Sequence, residues 1–202
     1  MYRYDIDVST KVNEEFRSGR KSQSIDLSVT ILTSSSWPII HLCKPILPRT
    51  LFDSFQLFSD FYTIKFPGRR LAQLNDLGEG EIKFLSLTKK SDDKVLLVNS
   101  LQMIVLMLFN QQHEMTPKQI ENETKIPFWV LTVVFESLTK PLASSNRSSV
   151  LKYLSGFKNV LESDTFSVND NFTHQRKRVK IPLNLPNRGE NENRQIKEKQ
   201  QI

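Results

Sequence analysis

The side chains able to do chemistry are few and scattered. Cys43 is the single cysteine in 202 residues, and the only histidines are His41, His113 and His174. One thiol can neither close an internal disulfide nor supply a thiolate zinc cluster, and the histidines have no spaced ligand partner. Cys43 sits between prolines, with no helix N-terminus and no clear cationic setting to activate it, so it reads as an inert small residue. Gly78-Glu79-Gly80 is a lone Gly-x-Gly with no downstream glycine and no helix start, so it is no phosphate loop. The carboxylate pairs Asp92-Asp93 and Glu79/Glu81 fall in predicted turns and read as solvated surface. His113, beside Glu114, reads as surface loop. No catalytic site, cofactor site or metal site is expected. The one charged run of interest is His174-Gln175-Arg176-Lys177-Arg178-Val179-Lys180, which could contact phosphates.

The net charge of +6, the pI of about 9.4 and the 38% hydrophobic content suit a soluble globular protein and permit nucleic-acid binding without requiring it. The acidic N-terminus, Met-Tyr-Arg-Tyr-Asp-Ile-Asp, has no apolar core and is not a signal peptide. The most apolar stretch, Val95 to Phe109, is interrupted by Asn99, Ser100 and Gln102 and falls short of the roughly 20 residues of a membrane span. An intracellular, metal-free protein is the expectation.

The elements that would position any site follow from periodicity. Val8, Val12 and Phe16 recur every four residues and predict a helix over 1–18 that stops near Gly19. A lone helix of that length is marginal in water, so it must dock on something. Leu27, Val29 and Ile31 alternate with Ser28 and Thr30, which predicts a strand over 25–33. Trp37-Pro38 ends it, because proline cannot extend a ladder. Pro48 opens a second helix, whose stripe is Leu51, Phe55, Phe58 and Tyr62, widened by Phe52, Leu57 and Phe61. Glu81 to Leu87 and Lys94 to Val98 predict a hairpin turning at Lys89 to Asp93. An almost wholly apolar helix follows to Asn110 and must be buried. Thr116-Pro117-Lys118-Gln119 is a capping box for a short helix, and Pro127 starts another, with Phe128, Leu131, Val134, Phe135 and Leu138 on one face. Strands at Val150 to Tyr153 and Thr165 to Val168 and a last extended piece from Arg178 to Leu183 complete a helix-turn-helix with a wing, the pattern of a winged helix. The third helix opens Phe128-Trp129-Val130-Leu131, which is too apolar to read bases in a major groove. A winged-helix nucleic-acid-binding protein is therefore the alternative reading. A duplicate that folds poorly, with an apolar surface left uncovered, is a third.

The order of the pieces resembles the C-terminal region of cullins, the scaffolds of multi-subunit ubiquitin ligases. The resemblance is carried by Leu27 to Pro38, Phe61-Tyr62, Gly68-Arg69-Arg70-Leu71, Leu101 to Asn110, Phe166 to Phe172 and Arg178-Val179-Lys180-Ile181. It looks closest to the cullin type that recruits BTB-domain adaptors. It implies an α+β protein in which 1–20 is the last helix of a helical bundle, 21–98 an α/β domain, 99–186 a winged helix and 187–202 a disordered polar tail. It also implies a non-catalytic scaffold in ubiquitin-dependent protein catabolism, working in the cytoplasm and nucleus.

In cullins the α/β domain receives an N-terminal strand of the small RING-finger subunit, so the resemblance implies a RING-partner interface at Leu27, Val29, Ile31 and Trp37. Other ligase subunits are possible partners; a membrane is not expected. The chain departs from the family at Pro67, where a small serine is usual, at Arg70, where lysine is usual, and over Ser144 to Ser149. It has neither the adaptor-binding repeats nor an Ile-Val-Arg-Ile-Met-Lys-like segment. A neddylation lysine is therefore not expected, and a truncated scaffold competing with full-length cullins is.

Overall fold

The computed structural model describes residues 2–19, 25–34, 42–85, 93–142, 148–153 and 160–185. The chain divides into two compact units, residues 1–41 with 47–73, and residues 42–46 with 74–202.

The first unit is built on two helices, α1 (Tyr2–Ser18) and α2 (Arg49–Lys65). The predicted stripe of α1 is buried at Val12 and Phe16, and these close on Phe58 and Tyr62 of α2. Phe16 meets Phe58 edge to face, with ring centroids 5.0 Å apart, and Phe61 lies 5.4 Å from Phe16 and 6.4 Å from Phe58, so the three rings form one cluster. Offset and edge-on aromatic pairs of this kind add specificity to area burial. The expected widening of the α2 stripe holds only in part. Phe61 packs on the cluster, whereas Phe52 and Leu57 are exposed. Lys65 of α2 pairs with Glu15 of α1.

The predicted strand over 25–33 is a correction. Residues 25–34 are extended, with Leu27, Val29 and Ile31 packed against the helical cluster, yet they join no sheet among the described residues. The alternation placed the apolar side chains correctly. It could not say what would pair with the backbone.

The second unit holds two three-stranded sheets. Strands β1 (Glu79–Phe84) and β2 (Lys94–Asn99) form the predicted hairpin, in antiparallel register from Glu79↔Asn99 to Phe84↔Lys94. Its expected turn lies outside the described residues for the most part. Asn99 caps α3 (Ser100–Leu108) in a reciprocal box with Gln102, whose other end reaches Ser137 at 2.8 Å. As expected of an apolar helix, Leu101, Ile104 and Val105 are fully buried.

A short β3 (Glu114–Met115) leads into α4 (Pro117–Thr124), opened by the Thr116–Gln119 capping box. The turn to α5 (Phe128–Thr139) puts Lys125 in the left-handed region, at φ 57°. That turn is tied down by the Glu121 carboxylate, which accepts the Phe128 N–H at 3.0 Å. Strands β4 (Leu151–Tyr153) and β5 (Phe166–Val168) are antiparallel, and β3 adds to β5 on its other side. Strand β6 (Arg178–Lys180) runs parallel to β2. So the C-terminal basic stretch completes the hairpin's sheet, in the order β1-β2-β6.

A candidate partner-binding edge

Among the described residues, the side chains able to do chemistry do not converge. No cluster of metal-ligating side chains exists among the described residues, and no helix there is long and apolar enough to cross a membrane. His113 is exposed, and His174 turns its Nδ1 onto the Arg176 N–H at 3.0 Å. His41 lies outside the described residues. Cys43 has its thiol pushed up to about 11, first by burial and then by the Asp76 carboxylate. A thiol so shifted is almost wholly protonated at neutral pH, the opposite of an activated nucleophile.

Glu81 is committed to an exposed ion pair with Arg178. The basic run is likewise part of the sheet. Val95 donates its N–H to the Lys177 carbonyl at 2.8 Å, and Val179 is buried. Helix α5 presents no free polar face for bases: Val130, Leu131, Val134, Phe135 and Leu138 are buried, and Trp129 is half-buried.

The feature that remains is in the first unit, where α1 and residues 25–34 lie side by side. The Asn13 side chain serves both backbone groups of Val29: its Nδ2 donates to the carbonyl at 2.8 Å, and its Oδ1 accepts the N–H at 2.9 Å. One turn back, Ser9 Oγ accepts the Ile31 N–H at 2.8 Å and gives its own proton to the Asp5 carbonyl at 2.6 Å. Another turn back, the Asp5 carboxylate accepts from Thr33 Oγ1 at 3.1 Å and from its N–H at 3.4 Å. Asp5, Ser9 and Asn13 are all buried.

In an extended chain the N–H and C=O of one residue point to the same edge, and the next residue's point to the other. Residues 29, 31 and 33 therefore face α1. Ser28, Thr30 and Leu32 turn their backbone groups to the opposite edge, where they make no hydrogen bond among the described residues. Ser28 and Thr30 are exposed, and Leu32 is half-buried. A groove runs between α1 and the segment on the bonded side, lined by Ser28 and Thr30 and by Ile6, Thr10 and Glu14 of α1.

Of the four residues expected at an interface, Leu27, Val29 and Ile31 stand together here, half-buried with their side chains on the core. Trp37 lies outside the described residues. Sequence reasoning missed Asp5, Ser9 and Asn13. The available signal was three short polar residues at a spacing of four, each one position after an aliphatic or aromatic residue at 4, 8 or 12.

Residues 31–172 match the family described as the Cullin alpha+beta domain. The chain is 29% identical to Cullin-3 of Caenorhabditis elegans over 207 aligned residues, which cover 89% of this chain. It spans about a quarter, 26%, of that relative's length. The family match takes in the extended segment from Ile31, α2, the hairpin and all the helices that follow. By this match over more than half of its length, the chain belongs to the cullin family.

Proposed function

We propose that this chain is a non-catalytic, cullin-type scaffold element of a ubiquitin ligase, and that it takes up the RING-finger subunit by strand addition along Ser28, Thr30 and Leu32. The observation that carries the reading is the open edge. It is a backbone already extended, anchored from behind by Leu27, Val29 and Ile31, with one side satisfied and the other without a hydrogen bond among the described residues. Main-chain hydrogen bonds give strand addition its affinity, and alternate side chains give it specificity. A bare edge is otherwise a liability that folded proteins cover.

Trp37, which follows this segment in the sequence, is proposed as a further contact. Residues 99–186 are read as a winged helix that supports assembly, with α5 turned to the interior and not to nucleic acid. The site of action on this reading is the cytoplasm and nucleus.

The test is co-expression with a RING-finger subunit of cullin ligases, followed by size-exclusion chromatography. A one-to-one complex is expected. Thr30→Pro removes a donor from the edge away from α1, the kind of edge position where proline is found in sheets, and should weaken the complex at least about tenfold with the thermal transition retained. A folded chain that ignores the subunit would sink the reading. If the complex forms, adding the chain to a full-length cullin should show competition for the same subunit.

A further inference from the structure

We propose that Asp5, Ser9 and Asn13 make helix α1 a surrogate neighbouring strand for residues 29–33, and that they are positioning residues for whatever strand adds to the opposite edge. The inference rests on the strand-addition reading for its partner, but the ladder itself stands on geometry alone. Four residues of helix advance about 6 Å, and two residues of strand about 6.6 Å. Side chains at 5, 9 and 13 therefore stay in register with backbone groups at 33, 31 and 29, running antiparallel.

Asn13 reproduces a ladder rung in full, because a carboxamide carries both the donor and the acceptor that a facing peptide would supply. Ser9 supplies an acceptor for the Ile31 N–H, and the Asp5 carboxylate accepts from the Thr33 N–H and hydroxyl. These are poor residues for a helix interior, where serine and asparagine compete for the backbone. Their burial beside Val12 and Phe16 is accounted for by what they hold.

The consequence is pre-organisation. A strand edge with nothing behind it must be ordered by its partner at binding, and that ordering subtracts from affinity. Here the segment is already fixed in register, with its side chains committed to the core and its outer edge aimed outward. Asn13→Ala should then act on a partner that Asn13 never touches.

The experiment is residue-resolved amide exchange on the full chain. It is run in parallel with binding of a synthetic peptide carrying the N-terminal extended segment of a RING-finger subunit. In the wild type the Val29 and Ile31 amides should exchange at least about tenfold more slowly than those of Ser28, Thr30 and Leu32, after correction for sequence. Asn13→Ala should bring Val29 to the rate of Thr30 and weaken the peptide about tenfold, while amides of α2 keep their protection. A merely structural role would loosen the whole unit alike. Should Asn13→Ala fail to fold, Ser9→Ala reports the same at Ile31.

Wild-type Val29 exchanging as fast as Thr30 overturns the ladder. Faster Val29 exchange with unchanged peptide affinity overturns the positioning role. A wild type that shows the exchange contrast but binds no peptide removes the proposed function and leaves the ladder standing.

Discussion

The hairpin of β1 and β2 and the segment 25–34 begin from the same instruction. Strand β1 and the segment alternate with period two, with Ile82, Phe84, Leu27, Val29 and Ile31 on the more buried face, while β2 is an apolar run in which only the burial alternates. The hairpin satisfies its backbone with backbone, rung by rung from Glu79↔Asn99 to Phe84↔Lys94. The segment satisfies one edge with three side chains of a helix, and its other edge makes no hydrogen bond among the described residues. A backbone ladder is indifferent to which side chains stand on it, because every residue but proline carries the same donor and acceptor. A side-chain ladder depends on the identity of each rung. The side-chain ladder should therefore lose more stability than the hairpin to a mild polar substitution.

The largest effect should come from removing the support behind the segment. Phe58 is fully buried and stacked edge-on against Phe16. Phe58→Ala should cost about 3–5 kcal/mol in denaturant unfolding of the first unit, because it leaves a ring-sized cavity in a small core. Loss of less than about 1 kcal/mol would mean that α1 and the segment are held by something other than this cluster.

A chemical probe comes next. Residues 42–46 are a second extended stretch held by side chains: Leu42 N–H donates to Asp76 at 2.7 Å, and Asn75 Nδ2 donates to the Pro45 carbonyl at 2.9 Å. Cys43 sits inside it, with its pKa raised to about 11. Thiol alkylation at pH 8 should run at least about tenfold slower than for a free cysteine, after allowing for the greater nucleophilicity of a more basic thiolate. The sign of the pH dependence follows. The folded chain binds this proton more tightly than the unfolded chain does, so stability is unaffected below the ordinary thiol pKa and falls as pH rises toward about 11. Fast labelling at pH 8 would show that the stretch is not docked.

The direct comparison of the two ladders is smaller. Asn13→Leu keeps the branching and the number of heavy atoms but strips both partners from Val29, and should cost about 1–2 kcal/mol of first-unit stability by denaturant titration. On the hairpin, Glu81→Ala removes an exposed ion pair with Arg178 and should cost no more than about 0.5 kcal/mol. Equal costs would dissolve the distinction between the two regions. Lys125→Gly is a mild test in the stabilising direction. Relief of the left-handed backbone at φ 57° should raise the midpoint by about 0.5–1 kcal/mol in free energy.

The sequence by itself determined which residues form helices and which faces are buried. Val12, Phe16, Phe58 and Tyr62 could be read from spacing, as could the Thr116 capping box and the hairpin pairing, because those signals are local and repeat with the period of the element. Membership of the family was legible in ordered short matches. The identity of the group facing Val29 was not. Periodicity says where a side chain points, but a backbone N–H carries no mark of its partner, and the partner here lies 16 residues upstream on another element. Only the tertiary structure could decide that 25–34 is held along one edge by helix side chains, because that depends on a match of rise per residue between a helix and an extended chain once both are packed on one core.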